Sequence, residues 1–586
     1  MGGELVGIAI DVGTAVSVAG VLHVLIVVVV GIHVLLNKQN EGAAFSWLGI
    51  VALSPFFGAL LYWVFGINRI RRRAQAAMPG GHTPEVPVGC GEEPVSALPA
   101  FAASLPARWQ GLMRLGSAIH PADYLDGNEL TPLIDGDEAY PRMLEAIEEA
   151  TTSVVLSSYI FEFDAAGRQF VDALIRVNAR GVPVRVLIDG LGVGYGFSLV
   201  RSDRVLRKAG VRTARFLPFL SRAGTRFLNL RNHRKILSVD GRVAFVGGMN
   251  IRAGNLLQQP SRHHTRDVHF LVRGPVIDQI NSVFAEDWEF STGETLLLPL
   301  WGARPRSAAR PPIADASEEE SGETVGGAGG SGGSEPVALA GVTARLAMPE
   351  TSERVAAGGR RTGTSTRPAV GKGTPAGSGS SASAKRMTGR SAGRSAWEPA
   401  AAASPGGVVA RVLLDGPDDN YQKLQHTIIG AINVARESVD VVTPYFLPPR
   451  TVISALQIAS LRGVRVRICV PEHNNLPFVG WAMEANVGKL VDYGIEIAAS
   501  PPPFDHSKLC VVDDRWSLIG SSNWDARSLE LNFEINLECY DRAFNDRLRR
   551  LVESRLAAAR PLGGEPRDGL VARLRNNFFR LFSPYL

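Results

Sequence analysis

Cysteine is scarce in this 586-residue sequence: Cys90, Cys469, Cys510 and Cys539 are the only four, and none lies in a CxxC pair. Isolated spacing excludes a disulfide framework and a cysteine-built zinc site. The thiols read as buried and reduced, in a cytoplasmic environment. No His, Asp or Glu run has metal-ligand spacing, so neither a metal nor a cofactor is expected. Charge of one sign is weak as well. A formal +5 over this length does not call for a nucleic-acid partner. With 45% hydrophobic and 20% charged residues, the chain is composed like a folded protein and is long enough for more than one domain.

Two stretches lack charge altogether. "VGTAVSVAGVLHVLIVVVVGIHVLL" covers 12–36, and "GAAFSWLGIVALSPFFGALLYWVFGI" covers 42–67. Each exceeds the roughly 20 residues that cross a bilayer core. The first is too long for a signal peptide, follows Glu4 and Asp11 instead of lysines, and leads directly into the second. A two-helix transmembrane hairpin is therefore expected within 1–75. Arg69, Arg71, Arg72 and Arg73 come after the second run, whereas the loop between the runs has only Lys38 and Glu41. Cationic flanks stay on the cytoplasmic side, so the globular remainder is expected at the inner face of the membrane. The same arginines can contact anionic headgroups.

Large apolar residues are few and scattered in 302–407. Its Gly, Ser, Ala, Pro and Arg cannot bury enough surface to offset ordering entropy, and a disordered linker is expected. Glu318, Glu319, Glu320 and Glu323 come early in it, and Arg360 to Arg394 form a basic tract. That tract is either a solvated spacer or an attractor of anionic lipid. A shorter polar connector is expected at 76–127.

Flanking the linker, at 128–301 and 408–563, the chain repeats itself. "LIDGDEAYPRMLEAIEEATTSVVLSSYIF" is echoed by "LLDGPDDNYQKLQHTIIGAINVARESVDVVTPYF", and "GVPVRVLID" by "GVRVRICVP". The first pair reads as a turn, an amphipathic helix and a β-branched strand, and the second as another short apolar strand after a helix, which implies a duplicated α/β fold. Two similar halves can pack about a pseudo-twofold axis, where corresponding residues meet.

The sharpest echo is "HRKILSVDGRVAFVGGMN" (233–250) against "HSKLCVVDDRWSLIGSSN" (506–523). Aligned without gaps, they share His233/His506, Lys235/Lys508, Asp240/Asp513, Gly247/Gly520 and Asn250/Asn523. One HxK is a weak signal, but the same set twice at the same offsets is strong. Read as a strand, HxK puts His and Lys on one face. Asp240 and Asp513, an odd step away at "DGR" and "DDR", read as turn-fixing groups. Gly247 and Gly520 allow close approach. Imidazole, ammonium and amide in each half suit an anionic phosphodiester, with the histidines dividing the work of nucleophile and general acid. Each histidine needs a partner on its other ring nitrogen. Glu534 supplies one in the second half and Asp267 in the first.

Two HxKxxxxD sequences followed by GGMN and GSSN resemble the phospholipase D superfamily, and within it the bacterial cardiolipin synthases. The second uncharged run, with Trp47, Pro55, Gly58 and Tyr62, is similar to that family's membrane hairpin, and "GSSNWDARSLELNFE" to its sequence after the second motif. The likeness spans nearly the whole chain except connector and linker. It implies a duplicated phospholipase D-type domain behind a membrane hairpin, in a bacterial inner membrane. It also implies the joining of two phosphatidylglycerol molecules into cardiolipin and glycerol. By the same resemblance, His233 is the nucleophile and His506 the acid and base. Lys235, Lys508, Asn250 and Asn523 bind phosphate, Asp267 and Glu534 orient the histidines, and Lys235, Asp240, Lys508 and Asp513 count with the histidines as the catalytic set. Opposite protonation states of the two histidines imply a bell-shaped pH profile. The long linker and Thr265, often aromatic in the family, depart from its pattern. A phospholipase D hydrolase or a transphosphatidylase with another acceptor remains the alternative. The segment 564–586 is amphipathic, and either lies on a bilayer or docks on the globular core.

Overall fold

The computed structural model of the chain describes residues 12–37, 41–63, 98–120, 122–193, 200–218, 230–261, 263–296, 407–563 and 569–583. The linker expected at 302–407, apart from Gly407, lies outside these residues, as do Arg69–Arg73.

The first uncharged run forms helix α1 (Val12–Asn37). The second does not form one helix. It is divided into α2 (Glu41–Leu53) and α3 (Pro55–Leu61) at Ser54, whose φ of −145° and ψ of 78° leave the helical region. Pro55 causes the break, since proline suits a first helical turn and disfavours helix in the residue before it. Gly58 lets the pieces fold closely, because a Cβ there would stand 2.6 Å from the Ile50 carbonyl oxygen. Among the described residues no helix is long and apolar enough to cross a membrane; side chains of α1 are described only over 20–36. The two-helix transmembrane hairpin expected from the sequence is therefore corrected: the first run forms α1, and the second is split into α2 and α3.

The expected connector is also corrected. It contains α4 (Leu98–Ser104) and α5 (Ala107–Ile119). Trp109, Leu112, Met113 and Gly116 recur at helical spacing and are buried, and the first three join the core of the second half beside Leu424, Ile428 and Ile432.

The first half contains β1 (Leu125–Ile134), β2 (Val154–Ser158), β3 (Val184–Asp189), β4 (Arg212–Phe216), β5 (Arg231–Asn232), β6 (Ile236–Val239), β7 (Val243–Gly247), β8 (Thr265–Arg266) and β9 (Val268–Arg273). Its helices are α6 (Asp135–Glu148), α7 (Ala165–Ala179), α8 (Ser202–Lys208) and α9 (Val276–Thr292). The second half contains β10 (Val408–Asp415), β11 (Ser438–Val442), β12 (Phe446–Leu447), β13 (Arg465–Pro471), β14 (Glu496–Ser500), β15 (Phe504–Asp505), β16 (Leu509–Val512), β17 (Trp516–Gly520), β18 (Trp524–Asp525), β19 (Asn532–Tyr540) and β20 (Arg560–Leu562). Its helices are α10 (Lys423–Val434), α11 (Arg450–Leu461), α12 (Pro477–Val491), α13 (Ala526–Glu530), α14 (Arg542–Ala558) and α15 (Leu570–Arg580).

One mixed sheet joins both halves. From its centre it runs β1-β9-β7-β6-β2-β3-β4 on one side and β10-β19-β17-β16-β11-β13-β14 on the other, with β20 at the outer edge. The two orders match strand for strand, as a duplication requires. Antiparallel pairing of β1 with β10, Leu125 opposite Ala410, makes the seam. Leu130, Val246 and Phe270 share one core with Val412, Ile519 and Ile535, so hydrophobic burial also crosses it.

A buried polar knot pins α5 to this seam. Arg411 Nε donates to Glu538 at 2.7 Å, both side chains being fully buried. Tyr124, Trp516 and Tyr540 donate to the same carboxylate, and Arg411 Nη1 donates to the Gly116 carbonyl on α5. Truncating one member of a buried pair leaves the other charge uncompensated, at a cost of about 3–5 kcal/mol. Glu538→Ala is therefore expected to lower the thermal-unfolding midpoint clearly. An unchanged midpoint would show that the knot does not hold α5 in place.

Candidate active site

The two HxK motifs are positioned by short strands that cross from one half to the other. β5 pairs in parallel with the start of β19, Asn232 opposite Phe533, and the His233 N–H donates to the Phe533 carbonyl at 2.9 Å. β15 pairs in parallel with β8, Asp505 opposite Arg266, and the His506 N–H donates to the Arg266 carbonyl at 2.7 Å. The HxK residues are therefore not in a strand, as the sequence reading had them. They are the crossover between strands, and regular pairing resumes at Ile236 and Leu509.

This crossover exchanges the carboxylates. Glu534 follows Phe533 and Asp267 follows Arg266, so each lies beside the histidine of the opposite half. His233 Nδ1 is 2.9 Å from both Glu534 oxygens, and His506 Nδ1 is 2.8 Å from Asp267 Oδ2. The sequence pointed to both carboxylates but attached each to its own half's motif. Lys235 Nζ donates to the His233 carbonyl at 2.7 Å, and Lys508 Nζ donates to the His506 carbonyl. Lys508 Nζ also lies 2.8 Å from His506 Nδ1, so that ring nitrogen has a carboxylate and an ammonium as neighbours. His233 has the Ser521 backbone as a further hydrogen-bond partner instead.

The glycines make room at the floor. A Cβ on Gly520 would lie 2.4 Å from the Ile535 carbonyl oxygen, and one on Gly247 would lie 2.9 Å from that of Val268. The next position differs between halves. At Gly248 a Cβ would meet Asp267 Oδ1 at 2.7 Å and Lys508 Cδ at 2.9 Å. At the equivalent place Ser521 donates its hydroxyl to Glu534 Oε2 at 2.5 Å. Asn250 Oδ1 accepts from the Ile160 N–H at 3.0 Å, which leaves the NH₂ end of its amide for another acceptor. Asn523 is also buried, and its Oδ1 has no hydrogen-bond partner among the described residues.

Asp240 and Asp513 stand at the far ends of β6 and β16, in left-handed turns with φ of +53° and +47°. The Asp240 carboxylate accepts from the N–H groups of Thr151, Thr152 and Ser153. Asp513 accepts from those of Arg436, Glu437 and Ser438. Burial opposes ionisation of Asp240, yet these backbone bonds hold its carboxyl below the usual range. Both aspartates brace the hairpin under the motif and bind backbone, as the turn-fixing reading has it.

Sequence reasoning missed other contributors. The Tyr159 ring lies 5.2 Å from His233, edge-on, and Tyr445 lies 6.4 Å from His506. Both were visible in the echoed "SSYIF" and "TPYF", one register apart. Asp189 accepts from the Asn232 N–H, and Asp287 from the Asn232 and Arg234 side chains, tying β5 and its crossover to the first half. No repeated signal marks these two. Among the described residues no group of three or more His, Cys, Asp or Glu side chains is placed to hold a metal ion.

Burial dominates the electrostatics. It pushes both imidazoles well below their ordinary range, with the ammoniums adding to the effect. Burial also brings Lys235 down to about 7 and Lys508 to about 8, and lifts Asp267 to about 6 and Glu534 to about 7. With the imidazoles neutral, two ammoniums face two carboxylates and the charge balances. An entering phosphodiester adds one negative charge, which favours the protonated form of every one of these groups.

The family model described as "Cardiolipin synthase, PLD-like domain" matches residues 143–288 and 428–556, one stretch in each half. The chain belongs to this cardiolipin synthase family. A second family model, "Phospholipase D-nuclease N-terminal", matches 24–66. Cardiolipin synthase A of Pseudomonas entomophila is 28% identical over 579 residues, covering 97% of each chain. The cardiolipin synthase of Alkalihalophilus pseudofirmus is 27% identical over 535 residues, covering 90% of this chain and 85% of its own. The phosphatidylserine synthase of Haemophilus influenzae superposes with a TM-score of 0.52 at 14% identity, over 81% of this chain and all of that one. That last likeness is one of fold alone. As a member of the cardiolipin synthase family, this chain is a phosphatidyltransferase of phospholipase D type.

Two predictions follow from the geometry and the charge balance. Gly248→Ala drives a methyl into Asp267 and Lys508, and a misplacement of about 1 Å costs on the order of 100-fold in turnover. Ser521→Gly, which removes only a hydroxyl and its Cβ, is expected to cost much less. Equal losses would contradict the floor described here. Because anion binding raises the pKa of each site group, affinity is greatest where the empty site is already protonated and is lost as pH rises through the pKa values of the occupied site. Competitive inhibition by a soluble phosphodiester of constant charge should weaken between about pH 6 and 9, by up to about tenfold per unit for each proton taken up. A pH-independent inhibition constant would contradict that balance.

Proposed function

We propose that the protein joins two phosphatidylglycerol molecules into cardiolipin and glycerol. The observation that carries this reading is the reciprocal pair His233–Glu534 and His506–Asp267, each built from both halves of a cardiolipin synthase-family chain. Glu534 occupies Nδ1 of His233, leaving Nε2 as its nucleophilic atom. His233 Nε2 attacks the phosphorus of the first phosphatidylglycerol, and the bond from phosphorus to the departing glycerol oxygen breaks. His506, protonated once the anion is bound, gives that oxygen its proton. The terminal hydroxyl of a second phosphatidylglycerol then attacks the phosphatidyl-histidine, His506 takes up its proton, and the N–P bond breaks. Assignment of His233 as nucleophile follows the family resemblance. Lys235, Lys508, Asn250 and Asn523 bind the non-bridging oxygens, whose charge grows in the transition state.

In this proposal α1 and the broken α2–α3 arm anchor the chain in a bacterial inner membrane. Arg69–Arg73 keep the two halves on the cytoplasmic side. The remaining parts are the connector with α4 and α5, the linker at 302–407, and the C-terminal segment.

Purified full chain in mixed micelles with phosphatidylglycerol should release glycerol and cardiolipin in equal amounts. His233→Ala and His506→Ala should each lose both products, by at least about 10³-fold. Phosphatidic acid without cardiolipin would make water the acceptor and overturn the synthase reading.

A further inference from the structure

Helix α15 divides its surface into three sectors. At 100° per residue, Ala572, Asn576 and Phe579 share one side, and this side is docked. Asn576 is 4% exposed and its Nδ2 donates to Glu484 Oε2 on α12 at 2.9 Å. The Phe579 ring lies 5.1 Å from Trp481, also on α12, and the Arg575 guanidinium lies 4.5 Å from the same indole. The docking expected as one alternative is thus what the structure shows, yet it uses only part of the helix.

A second arc, about 120° wide, carries Leu570, Val571, Leu574, Phe578, Leu581 and Phe582. These side chains are 71%, 82%, 62%, 55%, 71% and 44% exposed, respectively. Soluble surfaces seldom present so continuous an apolar strip without a partner. The edges of the arc are cationic. Arg573 and Arg580 flank one side; on the other, Arg575 is paired with Glu484 on α12 at 3.8 Å, and α15 itself contains no acidic residue. Lys489 on α12 feels the charges of Arg580 and Arg450, which extends the same positive field. A second copy of the chain would meet this rim with an identical one, like charge against like. Anionic lipid headgroups complement it.

We propose that α15 is a membrane-contact helix, its outward arc seated at the headgroup–acyl boundary of an anionic bilayer while its inward arc stays fixed to α12. The globular halves then have a second contact with the membrane, remote in sequence from the N-terminal helices. The inference shares with the proposed function only the premise that the chain works on a bilayer.

The test uses the full chain, with Cys90→Ser and Phe578→Cys, carrying an environment-sensitive fluorophore at 578. It is reconstituted in vesicles of phosphatidylcholine and phosphatidylglycerol containing lipids brominated near the headgroup end of their acyl chains. Bromine should quench this label at least about threefold more than one on Glu145→Cys in the first half, as expected for an interfacial helix. Equal quenching at both positions, or shielding of 578 only through self-association seen by crosslinking in lipid-free detergent, would overturn the proposal. Leu574→Glu with Phe578→Glu gives an independent reading. Turnover on vesicle substrate should fall about tenfold while turnover in mixed micelles stays within about twofold. Equal turnover of the double variant and the parent on vesicles would count against it. The quenching needs no turnover, so failure of the synthase assay would leave it readable.

Discussion

Everything at the site depends on two short parallel strand pairings, β5 with β19 and β15 with β8. Each is only two residues long, and each ends by fixing a histidine N–H on a carbonyl of the other half. Backbone hydrogen bonds of this kind have tight distance limits, so the residue after each carbonyl, Glu534 or Asp267, is delivered to within hydrogen-bonding reach of a foreign imidazole. Neither half has a complete histidine–carboxylate pair by itself. The halves must therefore fold together. A connection of about 100 residues between them is tolerable because closure entropy grows only logarithmically with length.

The duplication is close in backbone and unequal in chemistry. Asp267 with Gly248 stands where Glu534 with Ser521 stands in the other half, and the shorter carboxylate is matched to the residue without a side chain. His506 shares Nδ1 between Asp267 and Lys508, whereas His233 lies against both oxygens of Glu534. Two imidazoles set in different surroundings suit a reaction that asks one to attack and the other to move protons.

Much of this was legible in the sequence for a physical reason. The repeat of His, Lys, Asp, Gly and Asn at equal offsets survives because each position has a steric or charge requirement that few residue types meet. Asp240 and Asp513 were readable as turn groups from the turn chemistry of "DGR" and "DDR". The partner of each carboxylate was not readable, because nothing within "ELNFE" or "HTRDV" encodes a two-residue pairing with a distant strand. The strand reading of HxK failed for the same reason, since the crossover exists only once both halves are present. Helices α4 and α5 were overlooked behind a Pro- and Gly-rich lead, although Trp109, Leu112 and Met113 already had helical spacing. The break at Ser54 was legible in Pro55, but the hydrophobic run as a whole outweighed it.

The exchanged carboxylates are the central claim, and trapping the covalent intermediate tests them most directly. A phosphatidyl donor with a good leaving group needs no acid for the first step, so enzyme quenched in alkaline detergent, where a phosphorus–nitrogen bond survives, can be mapped by mass spectrometry in Glu534→Gln and Asp267→Asn. The account predicts an adduct on His233 in the parent, its loss in Glu534→Gln, and its persistence with slow turnover in Asp267→Asn. An adduct on His233 that is lost in Asp267→Asn and kept in Glu534→Gln would mean that each carboxylate serves its own half, contrary to the structure.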